Sequence, residues 1–271
     1  MRRAGRRVSL VLHLVAPLLA AASGQERAPE PPRIADNSFL VEEAYNQEAG
    51  VVQHIGAFRR AADGGWLFTF TQEWPAPSQR HQLSYTAPLV SGATGGTGVG
   101  DVALNYRYQA LGHDDARVWL APRLSITLPT GDAASGRGLG GTGVQANLPL
   151  SVEVSRTLVT HWNAGGTLTR ARDEQGLRRS LRSVSAAASA IWLLAPTLNL
   201  MLETTWERGE SFDAGTVRTD GRFTVLPGVR GAINLASGMQ IVPGAGVPFV
   251  RSEGRTDRDL FLYLSVEHAF R

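Results

Sequence analysis

The chain contains no cysteine and no lysine; all 27 of its basic residues are arginine. Without cysteine, disulfide stapling and a lipoprotein anchor are excluded. The missing lysine reads as a coding bias rather than as chemistry. Beyond the N-terminal leader there is no run of 18 apolar residues, so no membrane helix is expected. There is also no G-x-S-x-G nucleophile elbow, and the glycine-rich GATGGTGVGD lacks the Lys-Ser/Thr of a P-loop.

Charge points to no nucleic-acid partner once the leader is set aside. Arg2, Arg3, Arg6 and Arg7 precede an apolar stretch at 8–19 and the small residues Ala20, Ala21 and Ala22. That is a secretory signal peptide, assigned to 1–24. The full balance is 27 basic against 24 acidic residues; removing the leader's four arginines leaves 23 against 24. An exported, glycine-rich chain without cysteine or helical spans belongs in the periplasm or the outer membrane.

What the chain has is alternation. In RVWLAPRLSITLP, Val118, Leu120, Pro122, Leu124, Ile126 and Leu128 occupy every second position. In VQANLPLSVEV, Val144, Ala146, Leu148, Leu150, Val152 and Val154 do the same. Successive strand side chains point to opposite faces, so each segment has one apolar and one mostly polar face. Twelve such candidates follow residue 50: 51–60, 66–74, 81–89, 99–111, 117–129, 144–154, 158–170, 183–194, 198–208, 222–233, 239–250 and 259–270. Their connections alternate between short (APSQ, HDD, SRT, APT, LASG) and mostly longer (VSGATGGTG, TGDAASGRGLGGTG, ARDEQGLRRS, GESFDAGTVRTDG, RSEGRTDR). These features predict an all-β, antiparallel up-and-down transmembrane β-barrel of about 12 strands, an even count, over 51–271. A soluble periplasmic β-sandwich is the rival fold, but charges are scarce on the apolar faces.

Residues 25–50 are expected to form a periplasmic leader or a plug in the barrel mouth. Phe39, Leu40, Val41, Ala44 and Tyr45 sit loosely at helical spacing within 37–50. The last strand ends near an aromatic, Phe270, as expected of a chain delivered to the barrel-assembly machinery. Trp66, Trp74, Tyr108, Trp192, Trp206 and Phe249 suit interfacial girdles.

Four stretches carry a resemblance: TQEWPAPSQRHQLSYTAPL (71–89), GVGDVALNYRYQAL (98–111), APRLSITLPTGD (121–132) and GTGVQANLPLSVEV (141–154). Together they resemble outer-membrane transporters grouped under the MetA pathway of phenol degradation. The resemblance covers the centre of the chain and implies a channel or transporter in the cell outer membrane. Its permeants would be small molecules, including hydrophobic or aromatic ones.

Function would then sit on the inward face. Alternation puts Asp101, Arg107, Arg123, Glu153, His161, Glu203, Arg230 and Glu267 there, with Asn105, Asn147, Asn163 and Asn199. These charges either pair and close a narrow lumen or form a constriction that selects permeants. Gly138, Gly140 and Gly143 spell G-x-G-x-x-G, but a period-two segment follows where a dinucleotide fold needs a helix. His113, Asp114 and Asp115 form a tight turn, so no metal or cofactor site is expected. A lipid-acting barrel enzyme would need Ser and His within hydrogen-bonding distance on adjacent strands. None of His54, His81, His113, His161 and His268 stands at a recognisable spacing from a serine. Catalysis is not expected. Outer-membrane lipid and lipopolysaccharide are the expected surroundings, with Arg178, Arg179, Arg182, Asp213 and Asp220 at the outer surface.

Overall fold

The computed structural model describes residues 34, 38–92, 96–113, 116–172, 176–213 and 216–270. The predicted signal peptide, most of the leader, and Asp114 and Asp115 lie outside them. Twelve strands form the wall. They are β1 (Val51–Arg60), β2 (Trp66–Pro75), β3 (His81–Ser91), β4 (Thr97–Val99 with Val102–Tyr108), β5 (Val118–Leu120 with Arg123–Leu128) and β6 (Gly143–Ser155). Then follow β7 (Leu158–Arg172), β8 (Arg178–Ala195), β9 (Leu198–Asp213), β10 (Thr216–Gly231), β11 (Gln240–Gly246 with Phe249–Ser252) and β12 (Arg255–Arg258 with Leu260–Ala269). Each pairs antiparallel with its sequence neighbour, and β1 pairs β12 from Val51↔Ala269 to Arg60↔Leu260. The ladder is closed, which leaves no edge strand to aggregate or to expose unpaired backbone to lipid.

The interruptions have local causes. β5 breaks at Ala121 and Pro122, where proline has no N–H to give the ladder; its carbonyl still accepts from Tyr108 N at 3.0 Å. β11 breaks likewise at Pro248, whose carbonyl accepts from Asp259 N at 2.9 Å.

Strand lengths differ from the sequence expectation. β7 to β10 run 15, 18, 16 and 16 residues, against the roughly 9–11 needed to cross hydrocarbon. The polar stretches ARDEQGLRRS and GESFDAGTVRTDG, read as loops, are largely ladder beyond the apolar band. Polar side chains do not stop a hairpin there, because ladder hydrogen bonds are made by the backbone. The β11–β12 hairpin turns on Glu253 (φ 51°) and Gly254 (φ 79°), the left-handed pair of a primed two-residue turn. The stretch between β5 and β6 remains a loop, and Gly143 opens a strand rather than a helix.

Outward positions carry the apolar set: Leu104, Leu124, Ile126, Leu148, Trp162, Leu168, Leu200, Leu202, Leu262 and Leu264 are all exposed. So continuous an apolar band around a closed wall is a lipid-contacting surface, which rules out the soluble sandwich. Aromatics bracket it, with Tyr108 and Trp192 toward the short-turn end and Trp206 and Phe223 toward the other.

Inside, Leu226, Val242, Phe261 and Tyr263 form a small core with Ile34, packed by Phe39, Leu40, Ile55 and Ala57. Residues 38–47 are therefore within the barrel, and residues 38–50 contain no helix. The helical spacing is a coincidence of composition. Their backbone groups bond to wall side chains instead of to each other.

Candidate functional site in the barrel lumen

Residues 38–47 meet the wall nearly residue by residue. The Glu203 carboxylate accepts from the backbone N–H groups of Phe39 (2.5 Å), Leu40 (2.6 Å) and Val41 (3.3 Å). The Glu42 N–H donates to Asn163 Oδ1 at 2.8 Å, and Ala44 N–H to Ser151 Oγ at 2.8 Å. Asn46 N–H reaches Gln109 at 3.1 Å, and Gln47 N–H reaches Gln82 at 2.7 Å. A non-ladder segment inside a barrel has no neighbouring strand for its amides, so wall side chains must satisfy them.

The charged side chains close the same network. Arg107 donates to Glu43 O at 2.9 Å, Glu43 Oε1 at 3.3 Å, Asn46 Oδ1 at 3.0 Å and Glu42 Oε1 at 3.4 Å, and also to Tyr45 O. Arg123, its register partner on β5, pairs Glu42 at 2.7 Å. Asn147 adds a bond to Glu42 at 2.8 Å.

The apolar side holds Phe39. Its ring lies 5.2 Å from Phe261 and 5.1 Å from Tyr263, centroid to centroid. A Cβ on Gly228 or Gly244 would come within 2.6 and 2.7 Å of that ring, so these two glycines make its flat bed. Above the segment is a cavity of about 370 Å³, bounded by Phe39, Glu42, Ile55, Ala57, Thr69, Thr71, Glu73, Asn105, Arg123, Gln145 and Tyr263. One side is apolar and the other polar.

The residues expected at the lumen fall into three groups. Arg107, Arg123, Glu203 and, through Ser151, His161 converge on residues 38–46. Arg230 is buried opposite Asn199 in register, and Glu267 accepts from Gln53 at 2.6 Å; Gln47 in turn donates to Gln53. Asp101 and Glu153 stand apart. Asp101 holds the β5–β6 loop, accepting from Gly131 N at 2.9 Å and Leu139 N at 2.8 Å. Glu153 lies half-buried near the β6–β7 turn.

Sequence reasoning missed Glu73, which accepts from Gln82 at 2.7 Å, along with Gln53, Gln82 and Gln109. Strict alternation along β1 to β3 marks all but Gln109 as inward. It also missed a Ser–His pair: Ser151 Oγ and His161 Nδ1 are 2.7 Å apart and face each other in the β6–β7 register. Both are fully buried, and the hydroxyl already accepts the Ala44 N–H, so a substrate carbonyl has no approach.

No protein-family model matches the chain, and no curated protein does. Solved structures match its fold. The COG4313 outer membrane channel from Pseudomonas putida F1 is 15% identical, with 84% of this chain and 98% of that one covered and a TM-score of 0.62. The KdgM porin is 9% identical, with coverage of 81% and 99% and a TM-score of 0.51. The NanC porin is 12% identical, with the same coverage and a TM-score of 0.50. The chain thus shares the fold of outer-membrane channels and porins, and its apolar band sits in that membrane.

Proposed function

We propose that the barrel passes small molecules across the outer membrane, with residues 38–47 as the constriction they must displace or skirt. The observation that carries this reading is the two-sided cavity above the segment. Phe39, Ile55 and Tyr263 offer an apolar face, and Arg123 opposite them is held by an internal carboxylate, Glu42. A small aromatic compound bearing an acid group fits both sides and competes with Glu42 for the guanidinium. This agrees with the permeants implied by the resemblance to MetA-pathway transporters. Uptake into vesicles carrying the refolded protein tests it. Benzoate is expected to enter faster than benzyl alcohol, and Arg123→Gln is expected to remove that preference. Equal entry of both would rule the reading out.

Among the described residues, the Ser151–His161 distance is the feature that favours an enzyme. Labelling with a fluorophosphonate probe decides: burial predicts no adduct, whereas a Ser151 adduct would make the barrel a hydrolase. For assembly, the outward row Leu260, Leu262, Leu264 and Val266, ending at exposed Phe270, is the proposed signal to the barrel-assembly machinery.

A further inference from the structure

The two rims of the outer surface end differently. Where β7, β8 and β9 leave the apolar band at the long-loop end, their next outward positions are Arg170, Arg172, Arg178, Arg182 and Arg208, all exposed. Directly beneath lie Leu168, Val184 and Trp206, also exposed. Arg178 is opposite Arg172 in the ladder, Arg182 is opposite Leu168, and Arg208 is opposite Val184. The arginines therefore form one cluster across three strands. Outward positions near the short-turn rim carry Tyr106, Tyr108 and Trp192 instead.

Arginines directly opposite one another destabilise a strand pair. Among the described residues, none of the five side chains pairs with a carboxylate. The outward Glu210 on the same rim accepts from the Arg182 backbone N–H at 2.9 Å rather than from a guanidinium. Arg179, placed with Arg178 and Arg182 by the sequence reading, alternates to the other face.

We infer that this face binds a phosphorylated glycolipid of the outer leaflet. Its acyl chains lie along Leu168, Val184 and Trp206, and its phosphates sit on the arginines above. Guanidinium groups match phosphate oxygens in paired hydrogen bonds. The anion must also own the apolar chains that the band beneath solvates, so a lipid phosphate fits where a free one leaves that band unused. The outward strand positions at the opposite rim carry Tyr106, Tyr108 and Trp192 in place of paired arginines, which makes the site specific to one leaflet.

The test uses the full mature chain refolded in detergent, with native mass spectrometry as the readout. The probes are bis-phosphorylated lipid A, its dephosphorylated form, and phosphatidylglycerol. Because hydrogen bonds between guanidinium and phosphate are charge-assisted, preference for the phosphorylated form by at least roughly tenfold is expected. R172Q/R178Q should lower that binding by about tenfold or more, and R156Q at the short-turn end should leave it unchanged. In lipid-free detergent the double variant should melt no lower than the wild type, because it removes like-charge repulsion; a purely structural role would lower its Tm. R170Q/R182Q gives the same reading if the first pair fails to fold. Equal binding of phosphatidylglycerol, or of dephosphorylated lipid A, would overturn the assignment. So would a double variant that binds as the wild type does.

Discussion

The two inner walls hold the same ten-residue stretch by opposite means. On the β4–β7 side, Arg107, Arg123, Asn147, Asn163 and Ser151 grip it by charge and hydrogen bond. On the β10–β12 side, Phe39 rests on glycine floors against Phe261 and Tyr263, with Glu203 on β9 collecting three amides at the junction. The polar wall fixes register, because the backbone amides of Glu42 and Ala44 each meet a side-chain acceptor fixed on the wall, Asn163 and Ser151. The apolar wall supplies adhesion without direction. A segment held only by packing would slide, and one held only by charge would be released by competing ions. Together they seat the segment against both walls.

Arg107→Ala should do the most damage. The residue is 2% exposed, and its loss strands the Glu43 carboxylate and two carbonyls. Breaking one partner of a buried pair costs about 3–5 kcal/mol, which here caps the loss, since the freed segment rehydrates. Proteolysis within 38–49 is the measurement, and cleavage should accelerate while the barrel stays intact. Glu203→Ala comes next, at about 2–3 kcal/mol for the lost charge-assisted bonds, read by faster amide exchange at Phe39, Leu40 and Val41. Phe39→Ala should cost about 2 kcal/mol, since the ring is only partly buried; exchange should rise at the same amides but less at Ala44 and Gln47, which the polar wall holds. Gly244→Ala should be smallest, roughly 1–2 kcal/mol of overpacking, and its effect should shrink when combined with Phe39→Ala, leaving only the contact with Arg230 Cβ at 3.1 Å. An undiminished cost in the double variant would mean that the glycine serves the strand and not the ring.

Period-two patterning made the wall legible because burial in a barrel alternates residue by residue, and lipid punishes any lapse. Val51–Arg60 was bounded from the sequence as the structure has it. Where lipid stops acting the signal stops too, so the ladders of β7 to β10 outside the band read as loops. Arg107, Arg123 and Glu203 were marked as inward by the same alternation, but their partners were not. Glu42 and Glu43 lie in a stretch whose conformation is set by side chains 60 to 160 residues away, as in the Arg107–Glu43 and Glu203–Phe39 bonds. No local pattern encodes such contacts. Ser151–His161 was hidden for a milder reason: it needs the hairpin register, which a bulge between Glu153 and Ser155 shifts.

The most direct measurement is single-channel conductance in planar bilayers of the chain from residue 25 onward and of its Arg107→Ala/Glu203→Ala variant, each confirmed as folded by heat-dependent gel mobility. A seated constriction predicts small or absent steps for the native protein and discrete, larger steps for the double variant. Identical conductance of two folded barrels would contradict it, and residues 38–47 would then be a passive lining rather than the element that sets passage.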